Sequence, residues 1–216
     1  GAEVEFGLTA DEVIFGRPVH QIRAGKRLIE TKTLIISTGA GHRHLDVPGE
    51  NELETKGVTY CATCDGALPM FRNQPLVVVG GGDSACEEAS FLTRFASTVY
   101  LVHQPVWNSV VESVEGVAQG KVTGVKLKDT ATGKSSVLAC AGVFVAIGHV
   151  PNTRIFGGKI KMDEAGYLQL GPGSRTNVEG VFGAGDCADR VYRQAITAAG
   201  MGCMAAIDAE RYLAGG

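Results

Sequence analysis

Cys61-Ala62-Thr63-Cys64-Asp65 sets two thiols three residues apart, with a carboxylate directly after the second. Such a pair can close a small disulfide ring, form half of a zinc site, or arise by chance. Zinc needs a second ligand pair at similar spacing. Here Cys86, Cys140, Cys187 and Cys203 stand singly, and the histidines form no pair at helical spacing; His42 and His44 lie in a glycine-rich loop. Redox chemistry is therefore favoured over metal, and no metal ligands are assigned. In thiol–disulfide exchange a thiolate attacks and a mixed disulfide follows, and Cys-x-x-Cys pairing lowers one thiol pKa. Asp65 is placed to return a proton to a leaving thiolate. Its position equally allows a helix cap ahead of Gly66-Ala67-Leu68.

Two glycine-rich turns point to nucleotides. Gly80-Gly81-Gly82-Asp83-Ser84-Ala85 fits Gly-x-Gly-x-x-Ala. Gly80 makes the turn, Gly82 lets backbone approach a pyrophosphate, and Ala85 controls helix–strand packing; Asp83 and Ser84 open the helix that faces the phosphates. An NAD site usually carries a carboxylate at the end of the second strand. His103-Gln104 stands there instead, which leans towards NADP, although no arginine is present for a 2′-phosphate. His103 and His149 are placed at strand ends facing a nucleotide crevice. The second turn, Gly183-Ala184-Gly185-Asp186, offers a carboxylate to a cofactor hydroxyl or caps a helix. Arg193-Gln194-Ala195 opens a long helix whose first amides suit the electron-rich edge of a flavin.

These motifs need strands and helices to hold them. The 216 residues, 44% hydrophobic, suffice for one large domain or two modest ones. A net charge of −3 argues against nucleic acid or an anionic membrane as partner. No transmembrane-length apolar run and no signal peptide is visible. Six cysteines do not make a disulfide scaffold, so a reducing compartment with one working pair is expected. Strands are predicted over Val4–Leu8, Pro18–Arg23, Thr33–Ser37, Leu76–Val79, Thr98–His103, Val143–Ile147 and Gly180–Ala184. A hairpin is predicted over Val122–Leu127 and Ser136–Cys140, and helices over Cys61–Met70, Asp83–Phe95 and Gln194–Leu213. Cys86, Cys140, Cys187 and Cys203 read as buried, inert thiols, Trp107 as core, and His20, His42 and His44 as solvated.

In order and spacing the chain resembles low-molecular-weight thioredoxin reductases. The matching pieces are Ser37-Thr38-Gly39-Ala40, the Cys61–Asp65 pair, the Gly80–Ala85 loop, Ala146-Ile147-Gly148-His149 with Pro151-Asn152, Gly183–Asp186, and Tyr192–Gly200 with Gly202–Ala206. The resemblance implies an α/β protein of two Rossmann-like, three-layer nucleotide-binding domains. The FAD domain is discontinuous, residues 1–57 and 149–216, and the inserted NADPH domain, residues 58–148, carries the disulfide. Thr38, Gly39, Asp186, Arg193, Gln194 and Ala195 are expected on FAD. Gly80, Gly82, Asp83, Ser84, Ala85 and His103 are expected on NADPH. Electrons pass from NADPH through FAD to Cys61–Cys64 and on to thioredoxin, with Cys64 facing the flavin, Cys61 attacking the partner and Asp65 as acid–base. A cytosolic homodimer that alternates between two domain orientations is implied, an organelle being the alternative compartment.

Two departures stand out. The family's N-terminal Gly-x-Gly-x-x-Gly unit for the FAD pyrophosphate is not in these residues. After Val102-His103-Gln104-Pro105-Val106 the family's arginines and a crossover helix are also missing. The sequence as written is thus expected to hold FAD poorly, and the function belongs to the parent protein. Two competing readings are a reductase driven by ferredoxin or another donor, and a non-catalytic module that kept the fold.

Overall fold

The computed structural model describes residues 3–103 and 108–215. The crossover expected after Gln104, and Trp107, lie outside the described residues. The chain forms two compact units: one runs to Gly41 and resumes at Val150, and the other is His42–His149. The strands are β1 (Glu12–Ile14), β2 (His20–Ala24), β3 (Arg27–Thr31), β4 (Leu34–Ile36), β5 (Ala40–His42), β6 (Val58–Thr59), β7 (Pro75–Val79), β8 (Thr98–Val102), β9 (Ser109–Glu115), β10 (Gly124–Asp129), β11 (Ser135–Ala139), β12 (Gly142–Val145), β13 (His149–Pro151) and β14 (Val181–Gly183). Among the described residues the α-helices are α1 (Ala62–Asp65), α2 (Asp83–Leu92) and α3 (Ala195–Leu213).

The second unit has three layers. Its central sheet runs β6-β12-β7-β8, with all neighbours parallel. Side chains alternate across a strand, so β7 feeds two cores. Leu76 and Val78 pack with Ala62, Phe71, Ala85, Leu92 and Phe144 on the helical side. Val77 and Val79 pack with Val102, Val114, Val125, Val143 and Val145 on the other. That other side is closed by the antiparallel sheet β11-β10-β9. Both faces are covered, as the continuous apolar run of β7 requires. After β8 the chain enters this outer layer: β9 pairs antiparallel with β10 and is not β8's parallel neighbour.

Residues 42–57, which sequence places in the first domain, pack with the second unit. Leu53 joins its core, and Glu50 is fully buried. The Glu50 carboxylate accepts Leu45 N at 2.9 Å, Asp46 N at 2.8 Å and the Tyr60 hydroxyl at 3.0 Å. A buried charge persists only with such partners.

In the first unit β1-β2-β3 form an antiparallel meander, and β4 pairs parallel with β14. Helix α3 covers that parallel pair through Ala205 and Ala209, which pack with Phe182 and Ala184. Val4–Leu8, predicted as a strand, is irregular, and Phe6 is 91% exposed. Its apolar pattern has no partner strand among the described residues. Strand β3 was not predicted; it is half of a hairpin turned at Gly25, whose φ of +59° suits glycine.

His20 is also not solvated. It is 4% exposed, edge-on to Phe15 at 5.7 Å, and its Nδ1 accepts Gly16 N at 3.4 Å. Burial holds its pKa below the ordinary 6.5. The unfolded chain therefore takes up a proton first, and stability falls as pH drops below 6.5 towards the folded value. The slope from one such group is at most about 1.4 kcal/mol per pH unit. Urea unfolding at pH 5 to 8 should show the parent losing more stability than His20→Gln below pH 6.5; equal slopes would exclude this origin.

Candidate active site

Cys61 and Cys64 form a disulfide, with their Cα atoms 5.3 Å apart. This fits the redox reading of the pair. Cys61 is the N-cap of α1, and its Sγ accepts Cys64 N at 3.2 Å and lies 3.4 Å from the Thr63 hydroxyl oxygen. Asp65 is the last residue of α1, so it is not the N-terminal cap its type allowed. Gly66 follows because a Cβ there would stand 2.7 Å from both Ala62 O and Leu92 Cδ2. The disulfide helix thus sits hard against α2, and only glycine permits that approach.

The Gly80–Ala85 loop joins β7 to α2 in the same unit. Gly80 has φ +151°, and a Cβ there would meet Ala146 O at 2.4 Å and Ala85 Cβ at 2.9 Å. Ala85 is fully buried, so its small side chain lets α2 lie on the sheet, as the motif expects. Gly82 faces open space, with no atom within 4 Å of a built Cβ, and it caps α2, which opens with Asp83 and Ser84. The His103 ring lies against Gly81, where a Cβ would fall 1.9 Å from it. A cavity of about 360 Å³ lined by Gly80, Val102, His103, Val110 and Ile147 opens here, at the carboxyl ends of β7 and β8. Open α/β sheets bind ligands at that edge.

The first unit gathers the other motif residues. Asp186 lies in the turn after β14, and its Oδ1 is buried without a hydrogen-bond partner among the described residues. Gly39, at φ +70°, faces open space. Asn152 fixes the loop before it, donating Nδ2 to Thr38 O at 3.0 Å and its backbone N to Gly39 O at 2.9 Å. Arg193 N donates to Asp189 Oδ2 at 2.9 Å and Gln194 N to Thr197 Oγ1 at 3.2 Å. Those two amides are engaged within the loop, which leaves Ala195, the first residue of α3, as the motif's amide at the helix start. Asp189, which sequence reasoning missed, organises this turn by also accepting Val191 N and Tyr192 N, at 2.8 and 2.9 Å. Its Asp-x-x-x-Arg-Gln spacing just before a helix was the available signal.

Other side chains follow expectation in part. Cys140 and Cys187 are buried, and burial pushes the Cys140 thiol up to about 12. Cys86, on α2, and Cys203, on α3, are exposed. His42 stacks on Tyr60 with ring centroids 3.5 Å apart, and burial and then the neighbouring His44 lower its pKa. Tyr60 OH lies 2.9 Å from His44 Nδ1, so the residue before Cys61 is anchored on three sides.

Residues 2–107 and 104–202 match the family described as pyridine nucleotide-disulphide oxidoreductase. The chain is 48% identical over 205 residues to a thioredoxin reductase of Streptomyces clavuligerus, covering 85% of this chain and 62% of that protein. It is 46% identical over 226 residues to a thioredoxin reductase of Mycolicibacterium smegmatis, covering 94% and 71%. Among solved structures, a thioredoxin reductase from Giardia duodenalis superposes with a TM-score of 0.85 at 40% identity, covering 96% of this chain and 74% of that one. One from Streptococcus pyogenes gives 0.86 at 32%, covering 97% and 74%. The chain thus spans less than two thirds of the Streptomyces relative's length. The chain belongs to the thioredoxin reductases within the pyridine nucleotide-disulphide oxidoreductase family.

Proposed function

We propose that the chain works in an NADPH-dependent thioredoxin-disulfide reductase, with FAD in the first unit and NADPH in the second. The observation that carries the reading is the Cys61–Cys64 disulfide in the unit that also holds the Gly80–Ala85 loop. When bound, NADPH supplies hydride and the flavin relays its two electrons. Residues of each unit fit part of the group proposed for it. Asp186 Oδ1 is a buried acceptor that wants a hydroxyl, and Gly39 and Gly82 leave room for backbone to approach a cofactor. Asp83 and Ser84, which open α2, would face the phosphates, and Thr38 and Ala195 would contact the flavin, with Arg193 and Gln194 shaping the turn that presents Ala195. His103, in place of a carboxylate after β8, supports NADPH over NADH.

Cys64 would be the sulfur that faces the flavin, and Cys61 the one that attacks thioredoxin. In that attack Cys61 Sγ bonds to one sulfur of the partner's disulfide, the partner's S–S bond breaks, and the released thiolate takes a proton from Asp65. Cys64 then displaces the partner, re-forming the 61–64 bond. Two copies are proposed to associate. The exposed apolar residues Val191, Tyr192 and Ile196 at the start of α3, with Met204 and Ile207 along it, support this, as does the open space beyond Gly200 and Gly202. Those small residues do not serve packing on the sheet, which uses Ala205 and Ala209.

Anaerobic titration of the flavin-loaded parent protein tests the reading. NADPH should bleach the flavin band where NADH does not, and oxidised thioredoxin should restore it. A flavin indifferent to NADPH would move the assignment to another donor, and a protein that takes up no flavin would remove it.

A further inference from the structure

The carboxylate next to the disulfide is held by a residue outside the Cys-x-x-Cys-Asp motif. Thr59, on β6, is 7% exposed, and its hydroxyl hydrogen-bonds Asp65 Oδ2. The same oxygen lies 3.3 Å from Cys61 N, which donates to it. A hydroxyl has one proton and two acceptor sites. With Cys61 N–H filling an acceptor site, the proton is directed to Asp65. Strand β6 is itself pinned to β12, with Thr59 opposite Phe144 and Val58 opposite Val143. One buried oxygen therefore ties the carboxylate to the backbone of Cys61, from a rigid strand.

We propose that Thr59 is the positioning residue for proton transfer by Asp65, fixing its carboxyl relative to the Cys61–Cys64 sulfurs. The inference rests on the acid–base reading of Asp65. Helix α1 is a single turn and Asp65 is its last residue, so the helix alone leaves that side chain free to swing. Holding Oδ2 leaves Oδ1 to meet a leaving sulfur. In the step concerned, an external thiolate bonds to one sulfur of the pair, the 61–64 bond breaks, and the released thiolate takes its proton from the Asp65 carboxyl. A bare β-branched residue would fill the strand position equally well, so the hydroxyl is the feature to explain.

The test uses Thr59→Val, Thr59→Ser, Asp65→Asn and the double variant Thr59→Val/Asp65→Asn. The readout is the rate at which dithiothreitol reduces the 61–64 disulfide, followed by thiol titration. That reaction needs neither flavin nor nucleotide, so its outcome is separate from that of the reductase reading. Thr59→Val should slow exchange roughly ten-fold, below the full effect of losing an acid–base group. Thr59→Ser should restore the parent rate, and Thr59→Val should add nothing in the Asp65→Asn background, because residues acting as a unit are non-additive. A parent-like rate for Thr59→Val would overturn the proposal. So would an equal loss with and without Asp65, which marks a merely structural effect. If Thr59→Val fails to fold, Thr59→Ala gives the same comparison. In the flavin-loaded protein the loss should fall on kcat with thioredoxin and leave flavin bleaching by NADPH intact.

Discussion

Cys64→Ser in the flavin-loaded protein should reduce NADPH-driven thioredoxin reduction at least about a thousand-fold, with flavin content unchanged. Serine oxygen neither forms nor accepts a disulfide, so the relay has no first acceptor. Cys61→Ser should stop turnover equally, but the two variants should differ in what they trap. With Cys64 gone, Cys61 still attacks oxidised thioredoxin, and the mixed disulfide has no internal thiol to resolve it. It should accumulate as a covalent one-to-one adduct on a non-reducing gel. Cys61→Ser should give little adduct. The opposite pattern would exchange the roles of the two cysteines, and turnover retained in either variant would remove the disulfide from the electron path. The geometry around Cys61 bears on this: Cys64 N and the Thr63 hydroxyl oxygen lie within hydrogen-bond reach of its Sγ.

The chemistry-bearing pieces were legible because each is local. Cys61 and Cys64 lie three apart, and a one-turn helix brings their Cα atoms to 5.3 Å without help from the rest of the chain. The Gly80–Ala85 loop reads itself in the same way, since the run before it must be a buried strand and the turn falls on Gly80, where positive φ and the close Ala146 carbonyl leave no room for a side chain. What could not be read depends on partners outside the segment concerned. Strand β3 exists through β2, whereas Val4–Leu8 carries a strand-like pattern with no partner among the described residues. His20 is buried because Phe15 and Gly180 close over it, and nothing in its own neighbourhood in sequence distinguishes it from a solvated histidine. Residues 42–57 join the second unit because Glu50 finds Tyr60, ten residues on. Thr59 and Asp189 escaped notice for the opposite reason. Their bonds are short-range, but Thr and Asp beside a turn are common enough that type and spacing alone carry little information.

Asp186→Ala should separate stability from cofactor binding, because its effects on the two are of opposite kind. In the flavin-free chain Asp186 Oδ1 is buried with no hydrogen-bond partner among the described residues. A buried acceptor left unsatisfied is unfavourable by about 1–3 kcal/mol. Truncating it relieves that burden, so the thermal midpoint of the flavin-free variant should equal or exceed the parent's. The same oxygen is the acceptor offered to a flavin hydroxyl, and removing it should weaken FAD by roughly 1.5–3 kcal/mol, or about ten- to a hundred-fold in Kd. The assay is FAD fluorescence quenching on the flavin-stripped parent protein, run beside thermal unfolding of both forms. A variant with reduced stability and unchanged FAD affinity would reassign Asp186 to capping the turn between β14 and residue 188. A variant that is stable but flavin-poor would show that the first unit keeps an unsatisfied oxygen for its cofactor, a local conflict of the kind proteins retain at functional sites.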